Sequence, residues 1–168
     1  RDLAQNTLSY WTKEPLTTKT FSFVLNGIQK SCSYRTGLRA IPEQVNLFQT
    51  LRENYIDVYV CTATNQILIE EFGCSPEFGY EFKQGEITGF RLKQNDSAQF
   101  LAEVDSSQIE TISQGKADYI QTLEQLYHKA PILYMGDNNG DYEALTYPNL
   151  EVGIIFDLSR KGKINELK

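Results

Sequence analysis

The segment ILYMGDNNGD, residues 132–141, runs from an apolar stretch into a loop that contains glycine and two aspartates. The apolar stretch is short and precedes turn-forming residues, so it predicts a buried strand. Asp137 and Asp141 follow it four residues apart, and a helix is predicted from about Tyr142 to Leu145. This order predicts both carboxylates at the carboxyl end of a strand, where ligands bind in open α/β sheets.

The two aspartates fit either a metal site or a structural turn. Mg²⁺ prefers oxygen ligands and usually takes one or two carboxylates, which Asp137 and Asp141 could supply. The structural alternative is an acidic turn in which Asp141 caps the following helix. A calcium-binding EF-hand loop is disfavoured, because its sixth and twelfth positions need glycine and glutamate, and Tyr142 and Pro148 stand there.

Helix and strand patterns alternate through most of the chain. Helices are predicted from Pro42, from Asn65 to Gly73 and after Gly115, strands at 58–61 and 152–156, and short antiparallel strands at 80–82, 87–92 and 100–104. The alternation predicts an α/β fold, a three-layer Rossmann-like core with a mostly parallel sheet and a small antiparallel hairpin. Residues 1–35 do not follow this pattern, and they are interpreted as an insertion or a partial element.

Two further positions could contribute to the chemistry. Thr62 follows the strand predicted at 58–61, where its hydroxyl and the backbone amides beyond it, from Ala63, could hold a phosphate oxygen. Its structural alternative is a cap on the next helix. Lys116 opens the helix after Gly115, where its charge could stabilise a phosphoryl group, although a solvated surface lysine is the structural alternative.

Taken together, these elements resemble a known family. A strand ending in Thr62, then Gly115-Lys116 at a helix start, then the Gly-Asp-x-x-x-Asp of residues 136–141, resemble motifs II, III and IV of the haloacid dehalogenase superfamily. The run GDNNGDYEAL is similar to the phosphoserine phosphatase-like branch. TGLR at 36–39, followed by Pro42-Glu43, and GFRL at 89–92 are similar to phosphorylcholine phosphatases. The resemblance covers roughly residues 34–157.

The resemblance implies a Mg²⁺-dependent phosphatase that hydrolyses a small phosphomonoester through a phospho-aspartate intermediate. Thr62 and Ala63 would hold the phosphoryl oxygens, and Lys116 would steady the nucleophile and the transferring phosphate. Asp137 would coordinate Mg²⁺ directly, while Asp141 would bind it through water or orient Lys116. Phosphoryl transfer depends mainly on positioning and charge neutralisation, which these residue types can provide.

The first motif of that superfamily, an Asp-x-Asp that carries the nucleophile, occurs nowhere in the sequence. The resemblance therefore implies an N-terminal segment of the same protein that supplies it. Residues 1–35 would be a cap remnant, and 36–168 the core that lacks the first strand. The alternatives are an inactive module that binds metal, phosphate or a protein partner, and an α/β domain whose motifs arise by chance.

Composition limits the other partners. The formal net charge of −6 disfavours nucleic acid as the main ligand, and no apolar run approaches the roughly 20 residues of a membrane span. A cytoplasmic and an exported protein both remain open. There is no CxxC pair, a Cys32–Cys74 disulfide stays open, and the single His128 is interpreted as a surface residue at a helix end.

Overall fold

The structure is a computed structural model that describes residues 11–12, 18–35, 38–157 and 161–167. Within that part of the chain the strands are β1 (Trp11–Thr12), β2 (Thr18–Leu25), β3 (Ile28–Arg35), β4 (Leu38–Arg39), β5 (Val60–Asn65), β6 (Ile87–Phe90), β7 (Leu92–Gln94), β8 (Phe100–Val104), β9 (Leu133–Gly136) and β10 (Val152–Ile155). The α-helices are α1 (Pro42–Glu53), α2 (Gln66–Gly73), α3 (Gln114–Tyr127) and α4 (Tyr142–Leu145), and 3₁₀ helices cover Asn139–Asp141 and Lys163–Leu167.

The described strands pair only in twos. The pairs β1–β4, β5–β6 and β9–β10 are parallel, and the pairs β2–β3 and β7–β8 are antiparallel. The predicted three-layer Rossmann-like core with one mostly parallel sheet is therefore wrong. Helix and strand alternate as the sequence suggests, but β5 and β9 each pair on one side alone among the described residues, so the two parallel pairs do not merge into one sheet.

The helices agree with the sequence patterns. Proline stands at the first turn of α1, where its missing N–H costs no hydrogen bond, and α1 buries Phe48 from its apolar face. Helix α3 begins at Gln114 and ends at Tyr127, and the exposed His128 that follows takes the left-handed conformation that often closes a helix. The predicted helices from Pro42, after Asn65, after Gly115 and from Tyr142 are thus confirmed.

The strand predicted at residues 80–82 is absent, and the strand predicted from residue 87 pairs with a different partner. Tyr80 and Phe82 are buried and Glu81 is exposed, so the alternation is real, but Glu81 has a φ of 53°, which interrupts an extended backbone. Strand β6 pairs in parallel with β5 instead of joining the antiparallel hairpin. The antiparallel pairing predicted farther on is found between β7 and β8.

The chain divides into two compact units, one of Arg1–Val58 with Ile67–Glu86 and one of Tyr59–Gln66 with Ile87–Lys168. The predicted division at residue 35 stays a prediction. Residues 1–10 of the proposed cap remnant, and Thr36-Gly37 of the family resemblance, lie outside the described residues.

The first unit is built on a cluster of aromatic rings. Phe48 packs against Phe82 with ring centroids 5.6 Å apart, and Phe72 packs against Phe78 at 4.8 Å and against Tyr80 at 5.2 Å. These rings are buried, and the contact of Phe48 with Phe82 holds α1 to the loop before β6. In the same unit, Asn26 and Gly27 turn β2 into β3 with φ values of 52° and 75°, as a two-residue hairpin requires.

The second unit contains the predicted site residues. Its elements are β5 to β10 with α3 and α4, and α3 packs against both α4 and β5. The three cysteines are free thiols. Within the described residues, no helix combines the length and the apolar character needed to cross a membrane.

Candidate functional site

Strand β9 ends at a glycine that the next loop requires. A Cβ on Gly136 would lie 2.4 Å from Cβ of Asp141, closer than real side chains pack. The absence of a side chain lets the loop fold back, so that Asp141 comes close to the end of the strand that it follows. Gly136 thereby places Asp137 and Asp141 together at the carboxyl end of β9.

The Asp141 carboxylate is saturated with donors. Its Oδ1 accepts hydrogen bonds from Nζ of Lys116 at 2.5 Å and from the Tyr134 hydroxyl at 3.0 Å. Its Oδ2 accepts the backbone N–H groups of Asp137 at 3.0 Å and of Asn138 at 3.1 Å. One buried side chain therefore fixes both the lysine and the loop that presents Asp137.

Electrostatics agrees with this geometry. Burial by itself would raise the pKa of Asp141, but the hydrogen bond and charge of Lys116, with the two backbone donors, hold that pKa below its ordinary value. Burial and the neighbouring Asp141 charge raise the pKa of Tyr134. The carboxylate is therefore ionised, and the phenol is neutral and donates to it.

Lys116 is buried, although surface lysines are far more common. Its position depends on a tight backbone approach, since a Cβ on the preceding Gly115 would lie 1.5 Å from the carbonyl oxygen of Glu110. The solvated-lysine alternative is wrong, because the ammonium is enclosed and paired with Asp141. A buried cation at this place is a candidate for contact with an anionic ligand.

Asp137 lies half-buried on the loop. Its Oδ1 accepts a hydrogen bond from Nδ2 of Asn138 at 2.8 Å. The side-chain oxygen of Asn138 in turn accepts a hydrogen bond from the N–H of Gly140, also at 2.8 Å. Asn138 and Asp141 form a capping box at the start of the 3₁₀ helix. Asp141 makes no side-chain cap hydrogen bond to the following helix α4, so the structural alternative in that form is wrong; its side chain instead closes the capping box of the 3₁₀ helix and holds Lys116.

Thr62 lies on β5, which continues to Asn65 instead of ending before the threonine. Its hydroxyl accepts the N–H of Thr64 at 3.1 Å, and its carbonyl oxygen accepts the buried Thr111 hydroxyl at 2.6 Å. Ala63 is exposed. These two hydrogen bonds fix Thr62 and orient the backbone that follows it. The Thr62 hydroxyl only accepts in the first bond, so its own proton can still be donated to a ligand.

The described contacts join three of the predicted residues directly, Lys116, Asp137 and Asp141. Thr62 lies on β5, which pairs with β6 and not with β9 among the described residues. Cys61 precedes Thr62 on β5, and burial is the main reason why the pKa of its thiol is raised to about 11. The Lys116 charge lowers this pKa and the Asp141 charge raises it, so Cys61 lies within the electrostatic field of the ion pair.

The donor set allows a magnesium ion with few protein ligands. Among the described residues, no three side chains of His, Cys, Asp or Glu gather as a metal-binding group. Mg²⁺ commonly keeps several waters and takes one or two carboxylates, so Asp137 suffices as an anchor. The oxygens of Asp141 already accept four hydrogen bonds, which favours its role in orienting Lys116.

Sequence reasoning missed three side chains near the predicted residues, those of Tyr134, Gln66 and Asn138. Tyr134 was placed only in a strand, yet its hydroxyl reaches Asp141. Gln66 is 4% exposed, and its Oε1 accepts both the N–H of Gly89 and Nε of Arg91. Asn138 could have been found, because an Asn three residues before an acidic residue resembles a capping box; no local pattern indicates Gln66 or Tyr134.

No known protein family matches this sequence, and no curated protein matches it. A crystal structure of a conserved protein of unknown function from Anaerococcus prevotii is similar, with a TM-score of 0.84 and 26% sequence identity. The similarity covers 99% of this chain and 45% of that chain, so this chain spans less than half the length of that protein. Membership of the haloacid dehalogenase superfamily stays a prediction.

Proposed function

We propose that this chain carries the phosphate-binding and metal-binding part of a Mg²⁺-dependent phosphomonoesterase of the haloacid dehalogenase type. The observation that supports it best is the buried ion pair between Lys116 and Asp141, 2.5 Å long, beside the loop that presents Asp137. Burying a lysine is costly unless a partner compensates it. An anionic ligand that contacts Lys116 would give this costly pair a function beyond holding the loop.

The proposal gives each residue one role. The ammonium of Lys116 and the Thr62 hydroxyl would bind the phosphoryl oxygens, together with the N–H of Ala63. Asp141 would hold Lys116 in place and keep the loop fixed through the N–H groups of Asp137 and Asn138. Mg²⁺ bound at Asp137 would supply charge neutralisation at the transferring phosphoryl group.

The nucleophile is proposed to come from an aspartate of the same protein outside this sequence. Attack of that carboxylate on phosphorus forms an acyl phosphate and breaks the P–O bond of the ester, and the departing alkoxide takes a proton from water and leaves as the alcohol. Water then hydrolyses the acyl phosphate and regenerates the carboxylate. In both steps, Lys116 and Thr62 stabilise negative charge on the phosphoryl oxygens, which is where phosphoryl transfer needs it.

The test is Mg²⁺-dependent release of phosphate from an aryl phosphate by the protein expressed from its whole gene. Asp137→Asn keeps the size of the side chain and the acceptor for Asn138 but removes the charge. We expect it to raise the Mg²⁺ concentration for half-maximal activity by about tenfold or more, since ligand-sphere changes typically have this size.

The matched control is Asp118→Asn, an exposed carboxylate on α3 of the same unit, which should leave the Mg²⁺ dependence unchanged. A wild-type protein that hydrolyses no phosphomonoester would exclude the enzyme. Unchanged Mg²⁺ dependence in Asp137→Asn would exclude Asp137 as the ligand.

A second candidate is a module that binds phosphate or metal without turnover. The absence of an Asp-x-Asp from the sequence favours it. Binding of inorganic phosphate that is lost in Thr62→Val, with no hydrolysis by the protein from the whole gene, would support this candidate over the enzyme.

A further inference from the structure

One asparagine of the loop after β9 binds the segment 161–167. Nδ2 of Asn139 donates a hydrogen bond to the carbonyl oxygen of Lys161 at 3.1 Å, and its Oδ1 accepts one from the N–H of Ile164, also at 3.1 Å. Asn139 lies two residues after Asp137. Both polar atoms of the carboxamide therefore join the candidate metal loop to a segment 22 to 25 residues later in the chain.

The segment approaches the carboxamide too closely for a side chain to come between them. A Cβ on Gly162 would lie 2.1 Å from Nδ2 and 2.5 Å from Oδ1 of Asn139. Gly162 also has a φ of 126°, which residues with a side chain rarely adopt. Glycine thus lets the backbone reach Asn139, and a larger residue would displace the carboxamide from its two hydrogen bonds.

Burial and a cation also hold the segment. Ile164 is 2% exposed, so its side chain has left water. Nζ of Lys163 lies 5.5 Å from the centre of the Tyr142 ring and 3.6 Å from Oε1 of Glu143, at the start of α4. The exposed cation contributes little stability, and the buried isoleucine contributes more. The segment is therefore packed in place where it meets Asn139.

Two separate sets of hydrogen bonds thus fix the loop. Asp141 accepts the N–H groups of Asp137 and Asn138, and Asn139 joins the same loop to the segment 161–167. A loop that is fixed before a ligand arrives loses less entropy when the ligand binds. Contacts that orient a metal ligand from outside commonly change metal affinity by about 10- to 100-fold when they are removed.

We propose that Asn139 is a positioning residue for the candidate Mg²⁺ site, and that the segment 161–167 holds the loop that presents Asp137. This inference rests on the proposed function, because it assigns Asn139 a role toward an ion bound at Asp137. Asn139 contacts neither the ion nor the substrate in this proposal. It acts through the loop backbone, so its loss weakens Mg²⁺ binding without removing a ligand.

The first measurement is hydrogen–deuterium exchange, followed by NMR in the metal-free protein expressed from its whole gene. In Asn139→Ala the amide of Ile164 loses its acceptor, so it should exchange faster whatever the role of Asn139. If Asn139 positions the loop, the amides of Asp137 and Asn138 should also exchange about fivefold faster, the usual effect of losing one hydrogen bond.

The second measurement is Mg²⁺ binding without substrate, followed by the rise in Tm that added Mg²⁺ produces. Asn139→Ala should raise the dissociation constant for Mg²⁺ about tenfold. The Mg²⁺ concentration for half-maximal phosphatase activity should rise by the same factor.

Gly162→Ala tests the same contact from the other segment and leaves the sequence of the loop unchanged. It should reproduce both effects, and it decides the question if Asn139→Ala does not fold. In the double variant the two effects should not add, because both substitutions break one contact.

Asn95→Ala is the matched control. Oδ1 of Asn95 accepts the N–H groups of Ser97 and Gln99 in the turn between β7 and β8. This variant also removes two hydrogen bonds between a carboxamide and the backbone, in the same unit. It should leave both the exchange of the loop amides and the Mg²⁺ dissociation constant unchanged.

The possible results are distinct. Faster exchange at Ile164 alone, or an unchanged Mg²⁺ dissociation constant in Asn139→Ala and Gly162→Ala, would overturn the role of Asn139 and leave the proposed phosphatase intact. An equal rise of that constant in Asn95→Ala would do the same. A wild-type protein that binds no Mg²⁺ and hydrolyses no phosphomonoester would overturn the proposed function together with this inference.

Discussion

Two lysine–carboxylate pairs in the second unit have the same chemistry and different surroundings. Lys116 and Asp141 are 2.5 Å apart, and their side chains are 10% and 4% exposed. Lys93 and Glu103 on the β7–β8 hairpin are 3.0 Å apart, and their side chains are 46% and 64% exposed. The distances differ by half an ångström, but only the first pair has lost most of its contact with water.

Burial changes what an ion pair does. Water screens an exposed pair and solvates either partner when the other is removed. A buried pair has already lost its hydration, so each partner depends on the other and on its hydrogen bonds. Asp141 has three such bonds besides Lys116, which makes it a fixed point of the loop. The hairpin pair needs no comparable support.

Removing the buried carboxylate should have the largest effect. Asp141→Ala leaves Lys116 charged in a dry environment and removes the acceptor of two backbone N–H groups. We expect the free energy of unfolding to fall by about 3–5 kcal/mol, the usual cost of breaking a buried pair. Urea unfolding at neutral pH, followed by circular dichroism, measures it.

Acid titration provides a second test of the same carboxylate. In the folded protein the pKa of Asp141 lies below its ordinary value of 3.8, so the unfolded chain takes up the proton first as the pH falls. The stabilisation by the Asp141 charge is therefore complete above its ordinary pKa of 3.8. It is lost as the pH falls from there through the lower pKa of the folded protein. A stability gap between wild type and Asp141→Ala that is the same at pH 7 and at pH 3 would contradict the assignment.

The next effect comes from the glycine that lets Asp141 approach. Gly136→Ala places a Cβ 2.4 Å from Cβ of Asp141, so either the loop or the strand must move. We expect a loss of about 1–3 kcal/mol in the free energy of unfolding, as for other overpacked sites. It should be measured by the same urea unfolding.

Gly153→Ala on the paired strand β10 is the matched control, because its Cβ would meet Leu145 at an ordinary 3.4 Å. If both alanines cost the same, the close approach at Gly136 is not what limits the loop.

Local patterns predicted what depends on local forces. Proline at the start of α1 and the apolar residues of β9 indicate their elements because periodicity and capping act over a few residues. The loop after β9 could be predicted to carry Asp137 and Asp141 for the same reason.

Long-range pairing could not be predicted in this way. The sequence does not reveal which strand pairs with β5, and the single sheet that the alternation suggested is wrong. The burial of Lys116 depends on Asp141, 25 residues later in the chain. The backbone at Glu81 turns left-handed although its neighbours alternate as in a strand, because aromatic packing outweighs the local preference there.

The smallest effect is expected at the exposed pair. Glu103→Ala removes the partner of Lys93 on the hairpin, where water can solvate the remaining ammonium. The free energy of unfolding should change by less than about 0.5 kcal/mol, and the change should shrink further in high salt because exposed charges are screened. Urea unfolding of this variant beside Asp141→Ala, at low and at high ionic strength, compares the two pairs directly. A loss at Glu103 as large as the loss at Asp141 would mean that burial is not what separates them, and that the field around Lys116 gives no reason to single it out as an anion-binding group.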